Sequence, residues 1–311
     1  MRVLFHYAAG PALSARLDAL GLDLATCAEN DDARLAALLP ATEVLWHVLR
    51  RADAALMDAA PKLRLIQKIG VGLNTIDLDA ARARGVAVCN LPGTNAPAVA
   101  EHALMLMLAA LRRLPVFDAA TRAGRGWSMD PAIQDGIGEL GRRTVGLVGF
   151  GAIPQALAPV LASLGCRVLY TARHPRPDAG ARYVPLDTLL AEADVVSLHV
   201  PLSAETANLL DAARIARMKP GAVLVNTARG GLVDPAALVA ALRSGRLGAA
   251  GLDVFADEPA DPADPLFALP NVVVTPHTAW ITDGTFDRSF AIAAENVRRL
   301  AAGADLLHRA A

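Results

Sequence analysis

Val145-Gly146-Leu147-Val148-Gly149-Phe150-Gly151-Ala152-Ile153-Pro154 is the stretch on which the fold turns. Its first half is apolar and β-rich, so it reads as a buried strand. A Gly-x-Gly pair closes the strand, and a helical pattern from Ala152 to Leu164 follows. Strand, glycine turn and helix in that order form the context that raises a Gly-x-Gly match above chance. Gly149 would allow the tight turn, and Gly151 would let a pyrophosphate approach the backbone. The first helical residues, Ala152 and Ile153, would offer amide donors and the favourable end of the helix dipole. The bland alternative is an ordinary glycine-rich β–α turn. Pro154 stands where a third glycine is usual. Proline is tolerated in a first helical turn, but its ring adds bulk, and Pro159 further along should kink the helix.

Working outward, short β-branched runs alternate with helical ones. Val145–Gly149, Val168–Thr171, Val195–His199, Val223–Asn226, Ala249–Val254 and Val272–Thr275 read as strands. Ala152–Leu164, Leu186–Ala191, Ala212–Arg217 and Pro235–Leu242 read as helices between them. That alternation predicts an α/β fold with a doubly wound parallel sheet of the Rossmann, dinucleotide-binding kind. Upstream, Val3–Tyr7, Val44–Val48, Leu65–Ile69 and Val86–Cys89 read as strands, with helices over Pro11–Leu20, Ala52–Ala60 and Leu78–Arg84. They predict a second, smaller doubly wound sheet, flavodoxin-like. A helix from about Ala96 to Leu114 is apolar on nearly every face and should be buried, partly against another subunit. The glycine-rich segment from Ala123 to Gly141 shows no clear period. The closing helix Thr285–Ala302 is expected to return to the first sheet. The expected domains are therefore 1–95 plus 284–311, a discontinuous substrate domain, and 96–283, the dinucleotide-binding domain. A cleft is expected between them.

Composition narrows the class. The chain has 311 residues, 54% hydrophobic and 20% charged, with a formal net charge of -1. It can bury large cores, and it carries no bulk field for nucleic acid or anionic membrane. Cys27, Cys89 and Cys166 are odd in number and widely spaced, which argues for reduced thiols and against a disulfide framework or a metal site. The start, Met1-Arg2-Val3-Leu4-Phe5-His6-Tyr7, reads as a strand and not as a signal peptide. The longest apolar run, Ala103 to Leu111, falls short of the ~20 residues that span a bilayer. A cytoplasmic protein without nucleic-acid or membrane partners is expected.

The end of the second strand of the larger sheet bears on cofactor choice. It reads Val168-Leu169-Tyr170-Thr171-Ala172-Arg173-His174-Pro175-Arg176. An NAD site usually places Asp or Glu here, about 20 residues beyond the glycines, to accept from the ribose 2′-hydroxyl. This stretch has no acid. Thr171, Arg173, His174 and Arg176 would suit a 2′-phosphate, so NADP(H) is the expected cofactor and NAD(H) the alternative. A solvated basic loop is the bland reading.

Three further segments each close a strand and deliver one polar group. Asn226-Thr227-Ala228-Arg229-Gly230-Gly231 supplies Arg229, Gly251-Leu252-Asp253-Val254-Phe255-Ala256-Asp257-Glu258-Pro259 supplies Glu258, and Thr275-Pro276-His277-Thr278-Ala279 supplies His277. A guanidinium can grip a carboxylate with two prongs. An imidazole can move a proton near neutral pH, and a carboxylate beside it keeps the ring charged and oriented. These are the parts needed to bind a small oxo acid and protonate its carbonyl. Taken singly, each has a plainer reading as a surface ion pair, a structural histidine or a loop acid.

Together, and in this order, the motifs resemble the D-isomer-specific 2-hydroxyacid dehydrogenase family over essentially the whole chain. Ile69-Gly70-Val71-Gly72-Leu73-Asn74-Thr75-Ile76-Asp77 resembles its substrate loop, and Asp194-Val195-Val196-Ser197-Leu198-His199-Val200-Pro201-Leu202 a further signature. The end of the second strand resembles the NADPH-using glyoxylate and hydroxypyruvate reductases. The resemblance implies that Arg229 binds the substrate carboxylate and carbonyl, His277 protonates the carbonyl oxygen, and Glu258 pairs with His277 and holds it protonated. It implies that amides near Val71 and Gly72 hold the other side of the carboxylate. Asp253 and Thr227 would contact the nicotinamide half of the cofactor, with Val200 and Thr206 near it. The expected activity is reduction of a small 2-oxo acid to the D-2-hydroxy acid, with a homodimer as the assembly. The alternatives are an NAD-linked dehydrogenase of a bulkier D-2-hydroxy acid and a non-catalytic dinucleotide-sensing interaction protein. His102 reads as structural and His199 as core or near the cofactor. Lys68 reads as a substrate contact or a solvated lysine, and Trp280 as pocket wall or core.

Overall fold

The computed structural model describes residues 1–176 and 180–311. The chain forms two compact units, Met1–Asn95 with Ile281–Ala311, and Ala96–Trp280.

The first unit is built on strands β1 (Val3–Phe5), β2 (Leu24–Thr26), β3 (Val44–His47), β4 (Leu65–Lys68) and β5 (Ala87–Cys89). They are all parallel, in the order β2-β1-β3-β4-β5. This is the flavodoxin-type order. β2 escapes a sequence reading because its three residues are all half-buried and show no alternation. The helix Asp32–Leu38 escapes it too; Asp31 caps it by accepting from the Arg34 amide at 3.0 Å. Along the other strands side chains alternate between two buried faces. Leu4, Leu45, Ile66 and Val88 share one hydrophobic cluster. On the other, Phe5 and Trp46 meet Phe290 of the helix Asp283–Ala302, with the Trp46 and Phe290 rings stacked at 5.4 Å. That helix starts where Thr282 accepts from the Thr285 amide and stops at Gly303, whose φ of 68° is left-handed. Asn296 on it donates to Gln67 of β4 at 2.7 Å, so the C-terminal segment is bonded into the sheet's core.

The second unit carries β6 (Thr144–Val148), β7 (Arg167–Thr171), β8 (Arg182–Tyr183), β9 (Val195–Leu198), β10 (Ala222–Asn226), β11 (Leu247–Leu252) and β12 (Val272–Val274). The order is β12-β11-β10-β9-β6-β7-β8, again parallel throughout. From β6 the chain moves out through β7 and β8, then crosses to β9 on the other side. The reversal between β6 and β9 is the switch point beyond which such sheets bind ligands. The seventh strand, β8, has two exposed residues and no apolar signal to read. Gly146 in β6 is required by packing, since a Cβ there would lie 2.4 Å from Leu189 Cδ2.

The apolar helix spans Ala96–Leu111 and does not reach Leu114. Pro115 has no N–H to return to the Leu111 carbonyl. The chain turns at Arg113 (φ 53°) and restarts as the helix Leu114–Arg122. Pro159 does not end the helix Ala152–Ser163. It cannot donate to the Gln155 carbonyl, but both residues are exposed, so water can take that bond. Pro154 is buried in the first turn of the same helix, where no intrahelical N–H partner is lost. Among the described residues, no helix is long and apolar enough to cross a membrane. All three cysteines are free.

Candidate active site

Gly149 follows β6 directly and adopts a φ of 98°, which an L side chain rarely tolerates. A Cβ there would also sit 2.6 Å from the His199 carbonyl oxygen and 3.0 Å from Val200 Cγ1. The Gly149 amide donates to the Thr171 carbonyl at 2.9 Å, which ties the turn to the end of β7. Gly151 is different. A Cβ there would meet no atom within 4 Å, so the backbone in front of the 12-residue helix Ala152–Ser163 is open to a close ligand. Two buried polar atoms of the same unit, Thr227 Oγ1 and His199 Nδ1, have no hydrogen-bond partner among the described residues. A glycine cradle open at Gly151, a helix N-terminus and an unpartnered hydroxyl fit a dinucleotide's phosphates and carboxamide. His199 is half-buried with Nε2 2.9 Å from Ser197 Oγ, and desolvation lowers its pKa to about 4, so the ring is neutral. Thr206 spends its hydroxyl on its own turn, donating to the Pro201 carbonyl at 2.7 Å and accepting from the Ser203 amide at 2.8 Å.

Beyond β7 the side chains of Arg173, His174 and Arg176 are all exposed, and Thr171 is half-buried. The loop is anchored by Tyr170, whose hydroxyl accepts from the Arg176 amide at 2.7 Å and donates to its carbonyl at 3.1 Å. The anchor leaves the basic heads at the surface.

Arg229, Glu258 and His277 come together past the ends of β10, β11 and β12. Asn226, the last residue of β10, shapes the first turn: its Oδ1 accepts from the Ala228 amide at 3.0 Å and its Nδ2 donates to the Arg229 carbonyl at 2.8 Å. The guanidinium donates to the Ala228 carbonyl at 2.6 Å. Burial pushes its pKa down and the charge of Glu258 pulls it back up. Next comes Gly230, where a Cβ would fall 1.9 Å from the Phe255 carbonyl carbon. Only glycine lets this turn meet the loop that carries Glu258. Glu258 is held at both oxygens: Oε1 accepts from the Phe255 amide at 2.9 Å and Oε2 lies 2.7 Å from His277 Nδ1. Burial raises its pKa, but the His277 hydrogen bond, the Phe255 amide and the charges of His277 and Arg229 outweigh it, and the net shift is downward. Glu258 is therefore a carboxylate at neutral pH.

His277 has a φ of 55°, a left-handed conformation that costs a non-glycine residue about 1–3 kcal/mol and persists only where the surroundings dictate it. Here Asp253 dictates it. The residue is fully buried. Its carbonyl accepts from the His277 amide at 2.8 Å, its Oδ1 from the Thr278 amide at 2.8 Å and the Thr275 hydroxyl at 2.6 Å, and its Oδ2 from the Ala279 amide at 2.9 Å. A fifth neighbour, His102, comes from the helix Ala96–Leu111, with Nε2 2.9 Å from Thr275 Oγ1. Neither this clamp nor the fit at Gly230 is evident from sequence. The signal available is weak: a buried aspartate at a strand end and a Gly-Gly pair after the arginine.

In the first unit, Gly70 (φ 151°) opens the loop that carries Val71 and Gly72, and the Val71 carbonyl accepts from Asn90 Nδ2 at 2.9 Å. Lys68, just before it, is buried and not solvated; its ammonium donates to the Val48 carbonyl and, at 3.4 Å, to Thr75 Oγ1. Trp280, in the second unit, is buried. Among the described residues there is no group of three or more His, Cys, Asp or Glu side chains that could hold a metal.

The fold and this constellation define a two-sheet α/β protein with a dinucleotide cradle and an acid–base pair at the strand ends. Residues 104–279 match the model of the D-isomer specific 2-hydroxyacid dehydrogenase, NAD binding domain. The chain is 43% identical over 251 residues to the glyoxylate reductase of Korarchaeum cryptofilum, covering 79% of this chain and 75% of that protein. It is 44% identical over 276 residues to the D-3-phosphoglycerate dehydrogenase of Mycobacterium bovis, covering 88% of this chain; the match spans about half, 51%, of that enzyme's length. A crystal structure of the TT0316 protein from Thermus thermophilus superposes with a TM-score of 0.89 at 40% identity, covering 100% of each chain. The chain belongs to the D-isomer-specific 2-hydroxyacid dehydrogenase family.

Proposed function

We propose that this protein reduces a small 2-oxo acid of the glyoxylate or hydroxypyruvate type to the D-2-hydroxy acid, with NADPH as the preferred reductant. The observation that carries the reading is the 2.7 Å His277–Glu258 bond beside the half-buried Arg229. The nicotinamide dinucleotide, when bound, supplies the hydride that reaches carbon 2. Arg229 grips the substrate carboxylate through its planar fork. Val71 and Gly72 offer backbone amides suited to a substrate carboxylate. His277 Nδ1 is committed to Glu258, so Nε2 is the atom that gives the proton to the carbonyl oxygen; in oxidation it takes the proton back. Glu258 holds the ring's orientation and balances its charge. The amides at Gly151, Ala152 and Ile153 hold the pyrophosphate, Thr227 and Asp253 face the nicotinamide end, and Val200 lies beside the glycine turn. Arg173, with His174, Arg176 and Thr171, takes the 2′-phosphate. The domain roles follow: 1–95 with 284–311 for substrate, 96–283 for the dinucleotide.

A bulkier substrate handled with NAD is the second reading, favoured by the 44% identity to D-3-phosphoglycerate dehydrogenase. A purely dinucleotide-sensing protein would have no use for the His277–Glu258 pair. Turnover with a panel of 2-oxo acids, including a phosphorylated one, and with both reduced cofactors discriminates the three; no turnover with any of them would remove the enzymatic readings. Met105, Leu108 and Leu114, all exposed, support a homodimer through this helical face, and a monomer mass by light scattering would count against it.

A further inference from the structure

We infer that His102 is a positioning residue for the proton donor, acting through Thr275 and Asp253; this rests on the reading of His277 as that donor. The side chain comes from the helix Ala96–Leu111, remote in sequence from the loop it serves. The direction of the hydrogen bonds fixes its role. Asp253 is buried and accepts from two backbone amides, so Thr275 Oγ1, 2.6 Å from Oδ1, must donate to it. The hydroxyl's lone pairs are then free to accept, and His102 Nε2 at 2.9 Å is the donor. His102 thus locks the rotor of Thr275 into its bond with Asp253. Asp253 in turn holds Thr278 and Ala279 by its carboxylate and His277 by its carbonyl.

The result is a relay from the helix Ala96–Leu111 to a loop residue in a left-handed conformation. Without the His102 donor the Thr275 hydroxyl can rotate away. Asp253 then loses one of its three carboxylate bonds, and the 275–279 turn gains freedom where His277 must be held. Asp253, at the end of β11, is the charged group that faces the His102 ring, 3.5 Å from Nε2. Glu101, the acid beside His102 on its own helix, is exposed to solvent. The pair is a preorganising support of the kind that keeps a reacting group within reach of its productive geometry.

His102→Leu removes the donor at similar volume, whereas His102→Gln places an amide N–H near the same point. The Leu variant should lose about tenfold or more in kcat, with KM for the 2-oxo acid changed less than about twofold. The Gln variant should recover to within about threefold of the unaltered protein. Thr275→Val should match the Leu variant, and the double variant should be no worse than either, because both changes break one relay. A readout independent of turnover is amide hydrogen exchange of Thr278 and Ala279 in the folded protein. It should speed up in His102→Leu and in Thr275→Val, and stay slow in His102→Gln. Equal losses in Leu and Gln, additive losses in the double variant, or unchanged exchange with unchanged kcat would overturn the inference. If the unaltered protein reduces no 2-oxo acid, the functional reading fails instead, and the exchange data still decide whether His102 holds the turn.

Discussion

Gly230 and Phe255 touch backbone to backbone: a single added carbon on Gly230 would lie 1.9 Å from the Phe255 carbonyl carbon. Phe255 also gives its amide to Glu258 Oε1. The turn that orients Arg229 and the loop that orients Glu258 are therefore seated against one another. Gly230→Ala must push them apart. The expected outcome is a folded protein with turnover reduced about 10²-fold, the scale at which roughly 1 Å misplacement acts. Steady-state kinetics with far-UV circular dichroism checks it; activity within twofold of the unaltered protein would show that the loops are not coupled.

Gly151 should separate cofactor binding from folding. Its φ of -81° suits any residue and a Cβ there meets no atom within 4 Å, so Gly151→Asp should fold normally. Its carboxylate would stand where a pyrophosphate approaches, at the end of a helix that favours the ligand's negative charge. Fluorescence titration with NADPH should show binding weakened tenfold or more. Unchanged affinity would place the phosphates elsewhere.

Arg173→Ala addresses cofactor preference. If the exposed basic loop takes the 2′-phosphate, kcat/KM with NADPH should drop by about tenfold, as expected for one lost charge-assisted contact, while the value with NADH changes less than twofold. Equal effects on the two cofactors, or a clear NADH preference in the unaltered protein, would reduce the loop to a solvated surface.

Much of this is legible in the sequence, and the residues show why. Parallel strands buried on both faces are continuous apolar runs, so Val44–His47 and Thr144–Val148 stand out without alternation. Leu24–Thr26 and Arg182–Tyr183 are sheet-edge strands of three and two residues with little buried surface, and no local pattern marks them. The helix end near Leu111 is hidden because composition stays apolar through Leu114, while the stop comes from an N–H that Pro115 lacks. At the site, Arg229, Glu258 and His277 are readable because each ends a strand segment with a characteristic polar residue. The Asp253 clamp, the relay through Thr275 to His102 and the backbone contact at Gly230 are not, since each joins segments far apart in sequence. Lys68 reads as solvated or substrate-facing from its position alone; its burial and its bond to the Val48 carbonyl rule out the solvated reading.

Two imidazoles with depressed pKa values, His47 and His199, give the fold a defined acid sensitivity. Burial, aided by the nearby Lys68 charge, lowers the pKa of His47 to about 3, and burial lowers that of His199 to about 4, from an ordinary 6.5. Between 6.5 and those values the unfolded chain binds two protons that the native protein refuses, so stability rises with pH. The loss sets in as pH falls below 6.5 and, for His47, is complete only below about 3. Each proton contributes up to about 1.4 kcal/mol per pH unit. Urea titrations at pH 5, 6 and 7 should show stability increasing over this range, and His47→Gln and His199→Gln should each flatten the slope. A flat profile in the unaltered protein would mean that both rings are protonated in the native state.

The central claim is that His277, oriented by Glu258, gives the proton to the substrate carbonyl. The direct measurement is the rate of NADPH oxidation with glyoxylate and with hydroxypyruvate for the unaltered protein and for His277→Ala, alongside NADPH affinity by titration. Loss of general acid catalysis should lower kcat by about 10²–10⁴-fold while the dissociation constant for NADPH stays within about threefold. Near-normal turnover in His277→Ala, with NADPH still bound, would contradict the account.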